Sequence, residues 1–512
     1  MSTKNIHKQS GLLSKPVVKL PDGKNHFSWS DLFNGNIILG SAGSGKTSGP
    51  GAWILGDILQ DSTKPGGLLL CVKKDERLRL EDAIKKAGRA DDMVIISAEN
   101  PFKVNALAYE LFRKGGDKIE YNEALNILME IFLLGENYEA GGSASGKQER
   151  FWEKSLKRCL IRLMMILVLA KEPVSIQNMR RVLIDIFDEG DIERYSNLWM
   201  RIEQDQDQQQ EEAMIEYEEW CRSNFFLSCF EKANTREDLS PIELETMQLV
   251  GDYFLKTFCK ISDRTKAIIV ESAMGLFEPF NSGILKSHFS TEMSEDVKPE
   301  KCIEEGKLII VDIPIKEFGI SAVYAAGMTK KIFQQCMERR VVALEVNPRP
   351  CFLWIDEYHF FISPVSDQKF QSSCRSTMTA AIYLTQTINN IKAAMGEDSS
   401  IAKSRSLLSN LSTSIFCGNI CRDTNLYAAN MIGKEFIKTN SSSIDTNSRA
   451  SQTTNEQLHY IIPPEHFAAL DSGGNQNNFK VETIIVCRGK LASFIWRLYS
   501  ISKVVKSHYL II

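Results

Sequence analysis

The segment Gly40-Ser41-Ala42-Gly43-Ser44-Gly45-Lys46-Thr47 is the first place in the chain with the residues to do chemistry. It is a complete Walker A pattern, standing directly after an apolar run at 36–39 and before a helical one, which is the context such a loop requires. Its glycines let backbone N–H groups wrap a phosphate chain, and the following helix turns its positive end toward it. Lys46 then suits the β- and γ-phosphates and Thr47 offers a hydroxyl to Mg2+, so ATP and Mg2+ are the expected cofactors. An acidic partner should end a neighbouring strand. Cys351-Phe352-Leu353-Trp354-Ile355-Asp356-Glu357 supplies one, with Asp356 for the Mg2+ shell and Glu357 as general base on the attacking water. Asp312, after the apolar run 308–311, competes for that role; it lacks a second acid and leads into Ile313-Pro314. Further on, Ala381-Ile382-Tyr383-Leu384-Thr385-Gln386 is an apolar run closed by an amide. An amide there suits contact with the γ-phosphate or its water; a plain polar strand end is the alternative for Gln386.

These residues need a sheet to bring them together. Short apolar runs at 36–39, 67–72, 93–96, 308–313, 351–355, 381–384 and 414–417 read as buried parallel strands. Helical or turn-rich sequence separates them, which is an α/β signature. The stretch between 96 and 308 breaks this rhythm with long amphipathic patterns, including helices expected at 151–171 and 201–220. The fold class expected is α/β: a RecA-like P-loop NTPase core with a mostly parallel central sheet and an inserted all-α domain. Its parts are an N-terminal hairpin or strand segment (1–35), a first core part (36–109), the helical insertion (110–300) and a second core part (301–512). The Ser/Thr/Asn-rich residues 439–457 are expected to be a mobile loop, and 481–487 and 492–497 to be strands.

Composition adds limits. A chain of 512 residues exceeds what one core usually serves, and 43% hydrophobic with 25% charged residues is an ordinary globular balance. The net charge of −4 leaves nucleic acid open, because a ring-shaped motor grips DNA with few residues whereas a duplex-coating protein needs a basic surface. Twelve cysteines lack any Cys-x-x-Cys pair, which speaks against a zinc site and for reduced thiols. Residues 1–16 are polar, and the most apolar stretch, 159–170, contains Arg162 and is too short to span a bilayer. The expectation is a cytoplasmic protein with no transmembrane segment of its own. The acidic stretch 201–220 is a solvated face or a docking surface for a basic partner.

The residues resemble a known family. Ile37-Ile38-Leu39-Gly40 through Thr47, with Asp356-Glu357, is similar to the type IV secretion coupling proteins of the TraG/TraD kind, within the wider FtsK/HerA group of ring translocases. Weaker likenesses run over roughly 30–490: Lys73-Lys74-Asp75-Glu76 for a Lys-Gly-Glu element, Val104-Asn105-Ala106-Leu107, Phe151-Trp152, Gln386 with 391–397, and Ile462-Pro463-Pro464-Glu465 leading to Leu470. The resemblance implies a homo-oligomer, hexameric in the family, that recruits DNA and a relaxase or other secretion-system proteins and pumps the DNA. It also implies an arginine finger, matched here by Arg375 in Cys374-Arg375-Ser376, with Arg340 and Arg422 as substitutes. Typical members open with transmembrane helices and this sequence does not, so contact with the inner membrane is expected to run through partners. Two other readings remain: a HerA/FtsK-like DNA motor of a mobile-element or defence system, and a nucleotide-switched recruitment hub with little turnover. The pair Asp356-Glu357 argues against the hub.

Overall fold

Alternation along the strands decides how the core is built. Ile37 and Leu39 face one side of the sheet and Ile38 the other, and the same split separates Leu353 and Ile355 from Phe352 and Trp354. A strand buried on both faces needs helices on both, and this chain supplies them. The computed structural model describes residues 11, 13–115, 118–139, 149–203, 207–395, 400–444, 450–474, 477–487 and 490–497.

The strands are β1 (Pro16–Lys19), β2 (His26–Ser28), β3 (Asn36–Leu39), β4 (Gly66–Cys71), β5 (Met93–Ser97), β6 (Leu308–Asp312), β7 (Cys351–Ile355), β8 (Thr379–Thr385), β9 (Thr413–Phe416), β10 (Lys434–Ile444), β11 (Ala450–Tyr460), β12 (Lys480–Cys487) and β13 (Lys490–Arg497). Nine of them form one sheet in the order β13-β12-β9-β3-β8-β7-β4-β6-β5. From β9 to β5 all neighbours run parallel, and β12 and β13 close the other edge antiparallel. The mostly parallel α/β sheet expected from the apolar runs is present. One face is covered by helices Ala52–Leu59 and Lys74–Lys86, the other chiefly by helix Ile320–Glu338, in which every residue from 322 to 337 is buried.

Between β5 and β6 the described residues hold helices and no strand. Helix Tyr121–Glu139 packs on Ile320–Glu338 and so ties this helical part to the sheet. The helix expected at 151–171 spans Glu149–Leu169. The single helix expected at 201–220 is instead two, Glu189–Glu203 and Asp207–Ser223, folded against each other. An aromatic seam explains the correction: Trp199 meets Tyr217 edge-on at 5.5 Å and Tyr195 lies 6.2 Å from Tyr217, burying apolar surface that one straight helix would leave wet. Acidic side chains here pair locally, Glu216 with both Arg194 and Arg201.

Residues 439–457 also depart from expectation. Those at 439–444 and 450–457 belong to an antiparallel hairpin of β10 and β11 in continuous register, with 445–449 outside the described residues. Composition spoke only of core burial, whereas a two-stranded ladder satisfies its backbone without one, and threonine favours strands.

Candidate nucleotide site

Parallel strands bring their carboxyl ends to one edge, where open α/β sheets bind ligands. β3 ends at Leu39 opposite Thr385 of β8 and Phe416 of β9, while β8 also pairs β7. β8 therefore separates the two acid- and phosphate-bearing strands, and Gln386 emerges between them.

Residues 40–47 leave β3 as a turn. Gly43 and Gly45 have φ of 77° and 84°, a region side chains disfavour. A side chain at Gly40 would collide with Ser44 and Cys417, and one at Gly45 with Val481 of β12, so the loop has room only for backbone there. The Ser44 hydroxyl is buried and has no partner among the described residues, as expected of a cradle shaped for an anion's oxygens. Lys46 leads directly into the helix. Its carbonyl accepts the Gly51 N–H at 2.9 Å, a wide i-to-i+5 turn that accommodates Pro50, and the helix continues to Leu59. Ser41 N–H donates to Gly418 O at 3.0 Å, and its hydroxyl faces Asn419 Oδ1 at 3.3 Å, fixing the loop to the end of β9.

The expected metal ligands are together: Thr47 Oγ1 donates to Asp356 Oδ2 at 2.8 Å. Both are hard oxygen donors, and Mg2+ is ordinarily held by one or two such protein groups plus phosphate and water. Oxygen set and anion cradle thus fit ATP with Mg2+. Asp312 does not join them; it ends β6, two strands from β7, and pairs with Arg77 at 3.1 Å.

Glu357 adopts left-handed backbone angles, φ 47° and ψ 48°. Such a conformation costs a non-glycine residue of order 1–3 kcal/mol and needs support. Its N–H donates to Asp356 Oδ1 at 2.8 Å and its carbonyl accepts the Phe360 N–H at 3.1 Å, which turns the side chain back over the loop. There Oε1 lies 3.5 Å from Lys46 Nζ, 3.3 Å from Lys73 Nζ and 3.4 Å from Gln386 Nε2. Burial alone would raise this carboxyl, but the Lys46 and Lys73 ammonium groups outweigh it and hold Glu357 below the usual range. A carboxylate ionised at neutral pH, 4% exposed, is a usable base. Asn419 Nδ2 in turn holds the backbone carbonyl of Gln386 at 2.8 Å.

Lys73 and His359 are site residues that sequence reasoning missed. His359 Nδ1 stands 3.8 Å from Glu357 Oε2 and 3.2 Å from Thr385 Oγ1; burial lowers its pKa against the opposing pull of Glu357. The available signal for Lys73 was its place right after a strand that would lie beside β7. Arg375 is not at this edge. It is exposed and precedes β8, seven residues or roughly 20 Å from the Gln386 end. Arg340 is buried against Glu345 and Thr377 O, and Arg422 is exposed at the start of helix Arg422–Ile432.

Residues 350–472 match the family model described as the TraM recognition site of TraD and TraG. No curated protein matches the chain in sequence. Among solved structures, the unbound monoclinic form of the bacterial conjugative coupling protein TrwBdeltaN70 aligns with TM-score 0.60 and 10% identity, over 97% of this chain and 91% of its own. Plasmid coupling protein TrwB with the non-hydrolysable ATP analogue ADPNP gives 0.58 and 10%, over 98% and 93%. TrwB with ADP and Mg2+ gives 0.56 and 9%, over 98% and 94%. The fold is shared with these proteins over nearly the whole chain.

Proposed function

We propose that this chain, TraG/TraD-like in fold and in its segment 350–472, is a coupling ATPase that recruits DNA or a DNA–relaxase complex and drives it in conjugative transfer. The observation that carries the reading is the meeting of Thr47, Asp356, Glu357, Lys46 and Gln386 at one sheet edge, 2.8–3.5 Å apart in the contacts named above. TrwB structures with ADPNP and with ADP and Mg2+ support ATP and Mg2+ as the cofactors.

The chain's own groups account for the chemistry. Backbone N–H groups of 40–47 and Lys46 would bind the phosphates, and Thr47 and Asp356 would hold Mg2+, which would neutralise charge on the phosphate oxygens. When phosphate takes up Lys46, Glu357 loses that partner and is left to accept a proton at a carboxylate oxygen from water. Gln386 orients the same water and passes the state of the site to β8 and Asn419. Because Arg375 lies at the far edge of the sheet, we read it as a finger offered to a neighbour in a ring, with six copies expected from the family likeness. TraM-type relaxosome proteins are the partners suggested by the matched segment.

The test is ATP turnover with and without DNA. Hydrolysis should rise several-fold on adding single- or double-stranded DNA at low salt and lose that rise at high salt. Turnover indifferent to both DNA forms would remove nucleic acid from the function.

A further inference from the structure

Helix Lys74–Lys86 starts with Glu76 folded back on the chain: its Oε2 accepts Val72 N–H at 2.6 Å and Lys73 N–H at 3.2 Å. That contact is an ordinary first-turn cap and explains one oxygen. The other, Oε1, is buried without a hydrogen-bond partner among the described residues, in a residue only 6% exposed. A buried acceptor left unmet costs about 1–3 kcal/mol and calls for something to fill it. Glu76 lines a cavity of about 580 Å3 whose wall also contains Thr47 and Asp356. β4, which leads into Glu76, is the direct neighbour of β7, which leads into Asp356. Burial first, and then the Asp356 charge, push the Glu76 carboxyl up to about 7. Two carboxylate residues lining one cleft are relieved by a cation and its water.

We infer that Glu76 Oε1 accepts a hydrogen bond from a water of the Mg2+ shell, making Glu76 a positioning residue for the metal. The inference rests on the ATP–Mg2+ reading above and adds a third side chain to it. Thr47 and Asp356 touch the ion's own coordination, whereas Glu76 orients that shell from the next strand over. Partners of this kind commonly change metal affinity by about 10–100-fold.

The full chain is loaded with ADP and titrated with Mn2+, followed by electron paramagnetic resonance. Glu76→Gln is the informative variant, because its amide oxygen still accepts the Val72 and Lys73 N–H groups while an NH2 replaces Oε1 and cannot accept. The expected result is Mn2+ affinity weakened about tenfold or more, with metal-free ADP affinity and thermal midpoint close to wild type. Mn2+ affinity within about twofold of wild type, in a folded variant, overturns the inference and leaves Glu76 a helix cap. Should the variant not fold, a crystal structure of the wild-type chain with ADP and Mg2+ decides. Oε1 should lie at hydrogen-bond distance, about 2.6–3.2 Å, from a metal-bound water, and no such water within about 4 Å overturns the inference. A wild-type chain that binds no ADP overturns the ATP–Mg2+ reading itself, and this inference with it.

Discussion

Glu357, the proposed base, shows how much of a carboxylate's behaviour is set by what the fold brings to it. Its left-handed backbone aims it at Lys46, Lys73 and Gln386, and the two ammonium groups keep it ionised despite burial. Lys73→Ala removes one of them, which makes the carboxylate less favourable and raises its pKa. The acid limb of kcat/KM for ATP hydrolysis reports the free enzyme and should therefore move to higher pH. Lys73 is 44% exposed, so the movement should be modest, about a few tenths of a unit to one unit. An unmoved limb in a folded variant would separate Lys73 from the base. The residues of the Walker loop and Asp356-Glu357 were legible in the sequence because their chemistry dictates fixed spacing along the chain. Lys73 and Asn419 were not, because their roles come from strands that are distant in sequence and adjacent only in the sheet, nor was His359, whose place beside Glu357 is set by the tight turn that follows β7.

One buried network joins several elements behind the site. Lys330, with no exposed side chain, pairs with Asp367 Oδ1 at 2.7 Å, and Asp367 also accepts from Tyr358 at 2.7 Å and Gln334 at 2.9 Å. Tyr358 follows Glu357 directly and stacks on Tyr383 of β8 at 3.9 Å. Next to it, Lys331 pairs with Glu130 of helix Tyr121–Glu139 at 2.7 Å, so the same helix grips the helical part. Removing one partner of a buried pair strands the other charge. Asp367→Ala should lower unfolding stability by about 3–5 kcal/mol, and Lys330→Met with Asp367→Leu should recover only part of it, because Tyr358 and Gln334 still lose their acceptor. Urea unfolding of both proteins checks this; an Asp367→Ala protein as stable as wild type would mean the network holds nothing together. Strand positions in the sheet were readable because a doubly buried strand must be an unbroken apolar run. The β10–β11 hairpin and the fold of Glu189–Glu203 on Asp207–Ser223 were not readable, since one rests on backbone pairing and the other on aromatic side chains meeting across a chain reversal.

For the molecule as a whole, the structure places Arg375 at the sheet edge away from its own nucleotide site, which gives the ring reading a sharp test. Arg375→Ala protein should bind ATP yet hydrolyse almost none alone, and adding Lys46→Ala protein, which keeps its Arg375, should restore part of the turnover in mixed rings. Normal hydrolysis by Arg375→Ala at assembling concentrations would move the finger to Arg422 or elsewhere. Among the described residues no helix is long and apolar enough to cross a membrane. ATP hydrolysis turns most directly on one carboxylate, and the measurement is ATP binding and single-turnover hydrolysis by Glu357→Gln. Binding should stay within about threefold of wild type while hydrolysis falls by about 10²–10⁴-fold, the usual contribution of a positioned base. Hydrolysis at the wild-type rate would contradict the account at its centre.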